Sequence, residues 1–154
     1  MKKQAVLLAG LAMAGLASAQ EVVRIGHAAA VTGPVAYFGK DTENGARMAI
    51  EALNAKGVSI GAKKVRFELV AEDDAGEPKQ ATAVAQKLVD MKINGMVGHE
   101  TSGTTIPASK IYHAAGIPQI SPSSTSPMYT RQGFNTTFRV VANDVQLGLS
   151  LIHI

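Results

Sequence analysis

Apolar positions along the chain switch repeatedly between an extended and a helical period. Val22-Val23-Arg24-Ile25-Gly26 is a short apolar run of strand type. After a Gly33-Pro34 turn, Ala46, Ala49, Ile50 and Leu53 recur at spacings of three and four, which marks one face of a helix. Gly57 suits the end of that helix. The pattern then repeats: Val65-Arg66-Phe67-Glu68-Leu69-Val70 begins a second unit, Glu72 to Glu77 forms a polar loop, and Ala81, Val84, Ala85 and Leu88 a second helix face. Pro78 fits the first turn, where its missing N–H costs nothing.

A third unit is shorter. Met96 and Val97 mark a strand, Gly98 to Thr105 a loop, and Ala108, Ile111 and Ala115 a helix face closed by Gly116, followed by a strand over Ile117 to Ile120. From Pro122 to Phe134 the chain is rich in Ser, Thr and Pro, and Thr137 to Val141 predicts one more strand. Either Asn143 or Asp144 suits the N-cap of a final helix, because a side-chain oxygen there accepts an orphan N–H. Strands and helices alternating at this spacing predict a doubly wound α/β lobe, with a parallel sheet covered on both faces by right-handed crossovers. The sequence stops as the last helix opens, which would leave apolar surface bare and reads as an incomplete lobe.

Composition and charge alter this picture at the amino terminus. The chain has 154 residues, 15 Lys plus Arg, 12 Asp plus Glu and a formal charge of +3. Lys2 and Lys3 precede an uncharged, largely apolar stretch from Gln4 to Gln20, with Ala17-Ser18-Ala19 as a small-residue cleavage signal. Residues 1–19 therefore read as a secretory signal peptide, which marks the protein for export. The apolar run Ala5 to Ala19 is shorter than the roughly 20 residues that span a bilayer. Without Lys2 and Lys3, 13 basic residues face 12 acidic ones, formally +1, and a nucleic-acid footprint loses its main support. There is no Cys, so packing alone holds the fold, with no disulfide and no thiolate metal site.

Three loops reach the sheet edge where α/β folds collect ligands. The first, His27 to Lys40, carries Thr32-Gly33-Pro34-Val35-Ala36-Tyr37-Phe38-Gly39; Tyr37 or Phe38 either closes over an apolar ligand or packs the loop. The second, Gly98-His99-Glu100-Thr101-Ser102-Gly103-Thr104-Thr105, enters a helix and either cradles an anion or merely caps it. The third, Ile120-Ser121-Pro122-Ser123-Ser124-Thr125-Ser126-Pro127, either holds a zwitterion by hydrogen bonds or is a mobile linker. No GxGxxG, P-loop or GxSxG motif is present, so neither a nucleotide cofactor nor a nucleophile elbow is expected. Glu72, Asp73, Asp74 and Glu77 lack the calcium-loop pattern and read as a solvated strand end. His27, His99, His113 and His153 lack zinc spacing and read as structural or exposed.

Two long segments carry a resemblance: VVRIGHAAAVTGPVAYFGKDTENGARMAIEALNAKG, and GHETSGTTIPASKIYHAAGIPQISPSSTSPMYTRQGFNTTFRV. They resemble the amino-terminal part of bacterial periplasmic branched-chain amino-acid-binding proteins, the substrate receptors of ABC importers, from about Val22 through Asp144. The resemblance implies a Rossmann-like three-layer α/β/α lobe of the type I periplasmic-binding fold, one of two lobes that close on a ligand and present a surface to an inner-membrane ABC permease. It implies that Ser102 donates to the ligand α-carboxylate. Thr125 would give its amide to the carboxylate and its hydroxyl to the α-ammonium, and the Ser123 carbonyl would accept from the ammonium. Phe38 matches an aromatic position at the cleft mouth, with Tyr37 its substitute, and Asp144 matches an acidic position near the cleft or caps the helix.

The resemblance also sets domain boundaries: residues 20–148 form an incomplete first lobe, and residues 149–154 form an atypical tail suggestive of a truncation or junction. Some relatives bridge the loops near Ala75 and Thr101 with a disulfide, which this chain cannot form. The acidic residue that completes the ammonium site in the family comes from a second lobe, as do the contacts to the ligand side chain. Leucine, isoleucine or valine is the expected ligand. Rival readings are a module for another small metabolite, such as an amide, urea or aromatic acid, and an enzyme built on a related lobe.

Overall fold

A computed structural model describes residues 20–152. The signal-peptide reading of residues 1–19 and the last two positions of the tail lie outside the described residues. The strands are β1 (Glu21–Ala29), β2 (Ser59–Ile60), β3 (Lys63–Asp73), β4 (Gly95–Gly98), β5 (Gln119–Ser121) and β6 (Thr137–Arg139). The helices are α1 (Ala36–Lys56), α2 (Pro78–Asp90), α3 (Ser102–Ala114) and α4 (Asp144–Ile152), with a 3₁₀ turn at Pro127–Tyr129. The sheet order is β2-β3-β1-β4-β5-β6. All pairs from β3 to β6 are parallel, while β2 pairs antiparallel with β3.

This is the doubly wound α/β lobe that the alternating periods predict. The chain leaves β1 for β3 on one side and returns to β4 on the other, so the order reverses between β1 and β4. The β2 hairpin was not anticipated, because two residues carry no readable period. β3 also runs through Glu72 and Asp73, beyond the predicted strand, and β6 ends at Arg139 rather than Val141.

One face of the sheet is densely packed. Ala81, Val84, Ala85 and Leu88 of α2 are all buried, as their spacing requires, and the last three join Ala28, Ile93, Met96, Ala108, Tyr112 and Ile117 in the main core. On α3 the buried stripe is Thr104, Thr105, Ala108, Ser109 and Tyr112, while Ala115 is the exposed C-cap rather than part of the apolar face.

The opposite face corrects the expectation of two fully covered faces. Helix α1 lies over β1 and β3, but its Ala49 and Leu53 are exposed. A cavity of about 600 Å³ opens between it and Ile25, Phe67, Leu69, Val97 and Pro122. Ile120, Phe138 and Val140 are likewise exposed.

Two details position the site. Gly39 in α1 is buried, and a Cβ there would overlap the Ala30 carbonyl, so the helix presses its first turns directly on the end of β1. At α4 the choice of cap is resolved: Asn143 Oδ1 accepts from the Gln146 amide at 3.0 Å while Gln146 Oε1 accepts from the Asn143 amide at 3.0 Å. This reciprocal box makes Asn143 the cap and Asp144 the first helical residue.

Candidate functional site

The sheet edge at the β1/β4 reversal gathers the loops after β1, β4 and β5, together with the N-terminus of α3. Thr101 caps α3, its Oγ1 accepting from the Thr104 amide. The Thr104 and Thr105 amides both reach the Thr101 carbonyl. The Ser102 and Gly103 amides of the first turn have no such bond among the described residues, so they remain as donors at the positive end of the helix.

The Ser/Thr/Pro segment is not a mobile linker but a loop sewn to the β4 end. Ser121 Oγ donates to the His99 carbonyl at 2.9 Å and accepts from the Ser124 amide at 3.0 Å. Ser123 Oγ donates to the Glu100 carbonyl at 2.7 Å. Ser102 Oγ accepts from Ser124 Oγ at 3.2 Å and from the Ser126 amide at 3.1 Å. A hydroxyl has two acceptor positions and one proton. With both acceptor positions used, the Ser102 proton is left to donate outward. The Thr125 carbonyl accepts from the Asp144 amide at 2.9 Å, which orients Thr125 while its own amide and hydroxyl stay unused in the loop.

Phe38, Ser102, Ser123 and Thr125 line one pocket of about 310 Å³, together with Val35, Glu100 and Thr101. The structure therefore brings together four of the residues singled out in the sequence. Tyr37 and Asp144 do not line it. Tyr37 is exposed and packs on Phe38 with ring centroids 4.3 Å apart, and Asp144 reaches the site only through its backbone bond to Thr125.

Glu100 was missed. It is the one acidic residue in the loop Gly98 to Thr105, which was the available signal, but its burial could not be read from the sequence. It is only 8% exposed, and its Oε2 has no hydrogen-bond partner among the described residues. Burial, reinforced by the nearby Asp74 charge, pushes its carboxyl up to about 7.

The acidic strand end is also corrected. Asp74 is buried rather than solvated, with Oδ2 at 2.6 Å from His99 Nδ1. The other ring nitrogen of His99 lies 3.2 Å from the Tyr112 hydroxyl. Burial, with Asp74 adding to it, raises the Tyr112 phenol well above its ordinary value. Asp73 ties the loop after β1 to the loop after β3, accepting from the Val31 and Ala75 amides and the Thr32 hydroxyl. Burial pushes the Asp73 carboxyl up, but these bonds outweigh it and hold the group below the usual carboxylate range. Glu72 pairs with Lys87 at 2.7 Å.

The other histidines described are structural. His27 is buried, with Nδ1 3.0 Å from the Val97 carbonyl, and burial depresses its pKa. His113 stacks on Phe134. His99, the histidine nearest Ser102 in sequence, has both ring nitrogens turned to Asp74 and Tyr112, so it forms no base for that hydroxyl. Among the described residues, no group of three His, Asp or Glu side chains is placed to hold a metal ion.

The sequence profile of a periplasmic binding protein family matches residues 22–153. A leucine-, isoleucine-, valine-, threonine- and alanine-binding protein of Pseudomonas aeruginosa is 42% identical over 145 residues, covering 92% of this chain and 38% of its own. A Leu/Ile/Val-binding protein of Rhizobium johnstonii is 42% identical over 142 residues, covering 92% of this chain and 37% of its own. Among solved structures, the branched-chain amino acid transporter substrate-binding protein of Streptococcus pneumoniae, in complex with isoleucine, superposes with a TM-score of 0.73 at 33% identity. That superposition covers 80% of this chain and 35% of the other. The chain thus spans well under half the length of the relatives it matches. With its profile match along nearly all of the described residues and its α/β lobe shared with these receptors, the chain belongs to the periplasmic binding protein family, a family of binding proteins rather than of enzymes.

Proposed function

We propose that this chain is the first ligand-binding lobe, residues 20–148, of the periplasmic receptor of an ABC importer for branched-chain amino acids. In this reading residues 1–19 are its export signal, and an inner-membrane ABC permease is its partner. The observation that carries the reading is the convergence of Ser102, Ser123, Thr125 and Phe38 on one pocket at the sheet's switch point. The Ser102 proton and the open amides of α3 suit a carboxylate, because charge-assisted hydrogen bonds from neutral donors satisfy it without a countercharge. The Ser123 carbonyl and Thr125 hydroxyl suit the ammonium. Val35 and Phe38 offer apolar surface to an aliphatic side chain. The names of the relatives point to the same ligand class. Tyr37 supports the Phe38 ring, and Asp144 holds Thr125 rather than touching ligand.

One lobe covers a small ligand on one side only, so the affinity of this chain is expected to be weak, in the millimolar range. Nitrogen-proton correlation NMR of the chain, titrated with leucine, isoleucine, valine, acetamide, urea and 4-hydroxybenzoate, tests the assignment. Saturable shifts of the Ser102, Gly103 and Thr125 amides with the three amino acids support it. The same shifts with only an amide, urea or the aromatic acid would move the assignment to that ligand class.

A further inference from the structure

The hydroxyls and amides of this pocket account for the anionic end of a zwitterion better than for its cationic end. The cation is offered a carbonyl and a hydroxyl, both neutral. Yet the same pocket is lined by one acidic side chain, Glu100, placed between the β4 end and the cap of α3. Glu100 is 8% exposed, and its Oε2 is buried with no partner among the described residues. Buried polar atoms are almost always satisfied, and an unpaired one in a binding pocket marks the place of a missing donor.

Among the described residues, no cationic side chain is paired with Glu100. His99, the adjacent residue, spends its ring nitrogens on Asp74 and Tyr112. Arg139, the nearest strand-borne cation to the third loop, is committed to the carbonyls of Ser124 and Ser126 and the hydroxyl of Thr130. Asp144, beyond Thr125, is itself acidic, and Asp74 beneath the loop adds a second negative charge. The local field therefore favours a positive group arriving from outside the lobe. Glu100 also stands beside Ser123, whose hydroxyl donates to the Glu100 carbonyl. This is the side of the pocket where the ammonium is assigned.

We propose that Glu100 contacts ligand, its carboxylate receiving a cationic N–H group, so that the pocket selects amine-bearing acids over their deaminated counterparts. This rests on the proposed carboxylate site at Ser102 and extends it. Because burial and Asp74 raise the Glu100 carboxyl to about 7, the group is partly protonated at neutral pH in the empty lobe. An arriving ammonium favours the ionised form, so a protonated Glu100 gives up one proton to the buffer as the ion pair forms.

The test uses the chain labelled with ¹³C at the glutamate carboxyls, with Glu100→Gln assigning the Glu100 resonance. Leucine is compared with 4-methylpentanoate, which lacks only the amine, and lysine with norleucine, which lacks only the side-chain cation. The titration midpoint of Glu100 is expected to fall by about one pH unit with leucine and to hold with 4-methylpentanoate. E100Q is expected to weaken leucine about tenfold while leaving 4-methylpentanoate within about twofold. A response to lysine that norleucine lacks assigns the contact to a side-chain cation, and equal responses assign it to the α-ammonium. Equal losses for leucine and 4-methylpentanoate in E100Q, or a Glu100 midpoint blind to every amine while the Ser102 amide still shifts, overturn the role of Glu100 alone. If no carboxylate shifts the Ser102 and Gly103 amides, the carboxylate site falls and this inference with it. Should E100Q fail to fold, the carboxyl titration of the unmodified chain, assigned by through-bond correlation to the Glu100 backbone, decides the same question.

Discussion

The His99 imidazole and the Asp74 carboxylate, 25 positions apart in sequence, meet at 2.6 Å in the protein interior. Asp74 opens the loop after β3, and His99 opens the loop after β4. The His99 carbonyl in turn accepts from Thr105 of α3 and Ser121 of β5. One buried pair thus joins the elements whose ends form the site.

Removing one member should cost far more than the pair is worth in net terms, because it leaves the other desolvated and unpaired. Asp74→Ala is expected to destabilise the chain by about 3–5 kcal/mol in urea denaturation. A loss below about 1 kcal/mol would show that the pair contributes no more than a surface contact.

Glu100 sets a pH dependence of definite sign. In the unfolded chain it ionises near its ordinary value of 4.5, and in the folded chain near about 7. Between these values the folded state binds more protons, so the Glu100 contribution to stability falls as pH rises through that window. E100Q removes the penalty. Its melting temperature relative to the unmodified chain should therefore rise between pH 4.5 and 7 and level off above, with Asp74 and His99 common to both proteins. A difference that is flat with pH, or that grows toward acid, would contradict this.

Two glycines in α1 should respond in opposite directions to alanine. At Gly39 the new Cβ meets the Ala30 carbonyl, and displacement of helix from strand is expected to cost about 1–3 kcal/mol. At Gly45 nothing lies within 4 Å, and Gly45→Ala should gain about 0.5–1 kcal/mol from helix propensity. Thermal melts of the two variants check both signs, and a neutral G39A would mean that α1 is free to move off β1.

Ser102→Ala removes the outward hydroxyl proton and also the acceptor for Ser124 and Ser126. A drop in leucine affinity of about tenfold or more is expected by NMR titration, with displaced Ser124 and Ser126 amide resonances even before ligand is added. Leucine shifts of undiminished size and midpoint in S102A would remove Ser102 from the site.

Much of this molecule was legible in its sequence. The alternation of periods predicted a doubly wound lobe, since the spacing of apolar residues along a helix or strand is a property of consecutive positions. Two motifs located Phe38, Ser102, Ser123 and Thr125 before any geometry, because they hold the polar residues of strand-end loops in a recognisable order. Burial was not legible. Asp74 and Glu100 look like solvated acids in their own segments, and only the crossing of β3, β4 and α3 takes them out of water. Tyr37 and Asp144 are as close to the site in sequence as their neighbours, yet helix phase turns one outward and leaves the other a backbone role. The thin cover over Val97, Ile120 and Phe138 was likewise decided in three dimensions. A strand's own pattern states which residues are apolar, and what lies against them depends on where the rest of the chain goes.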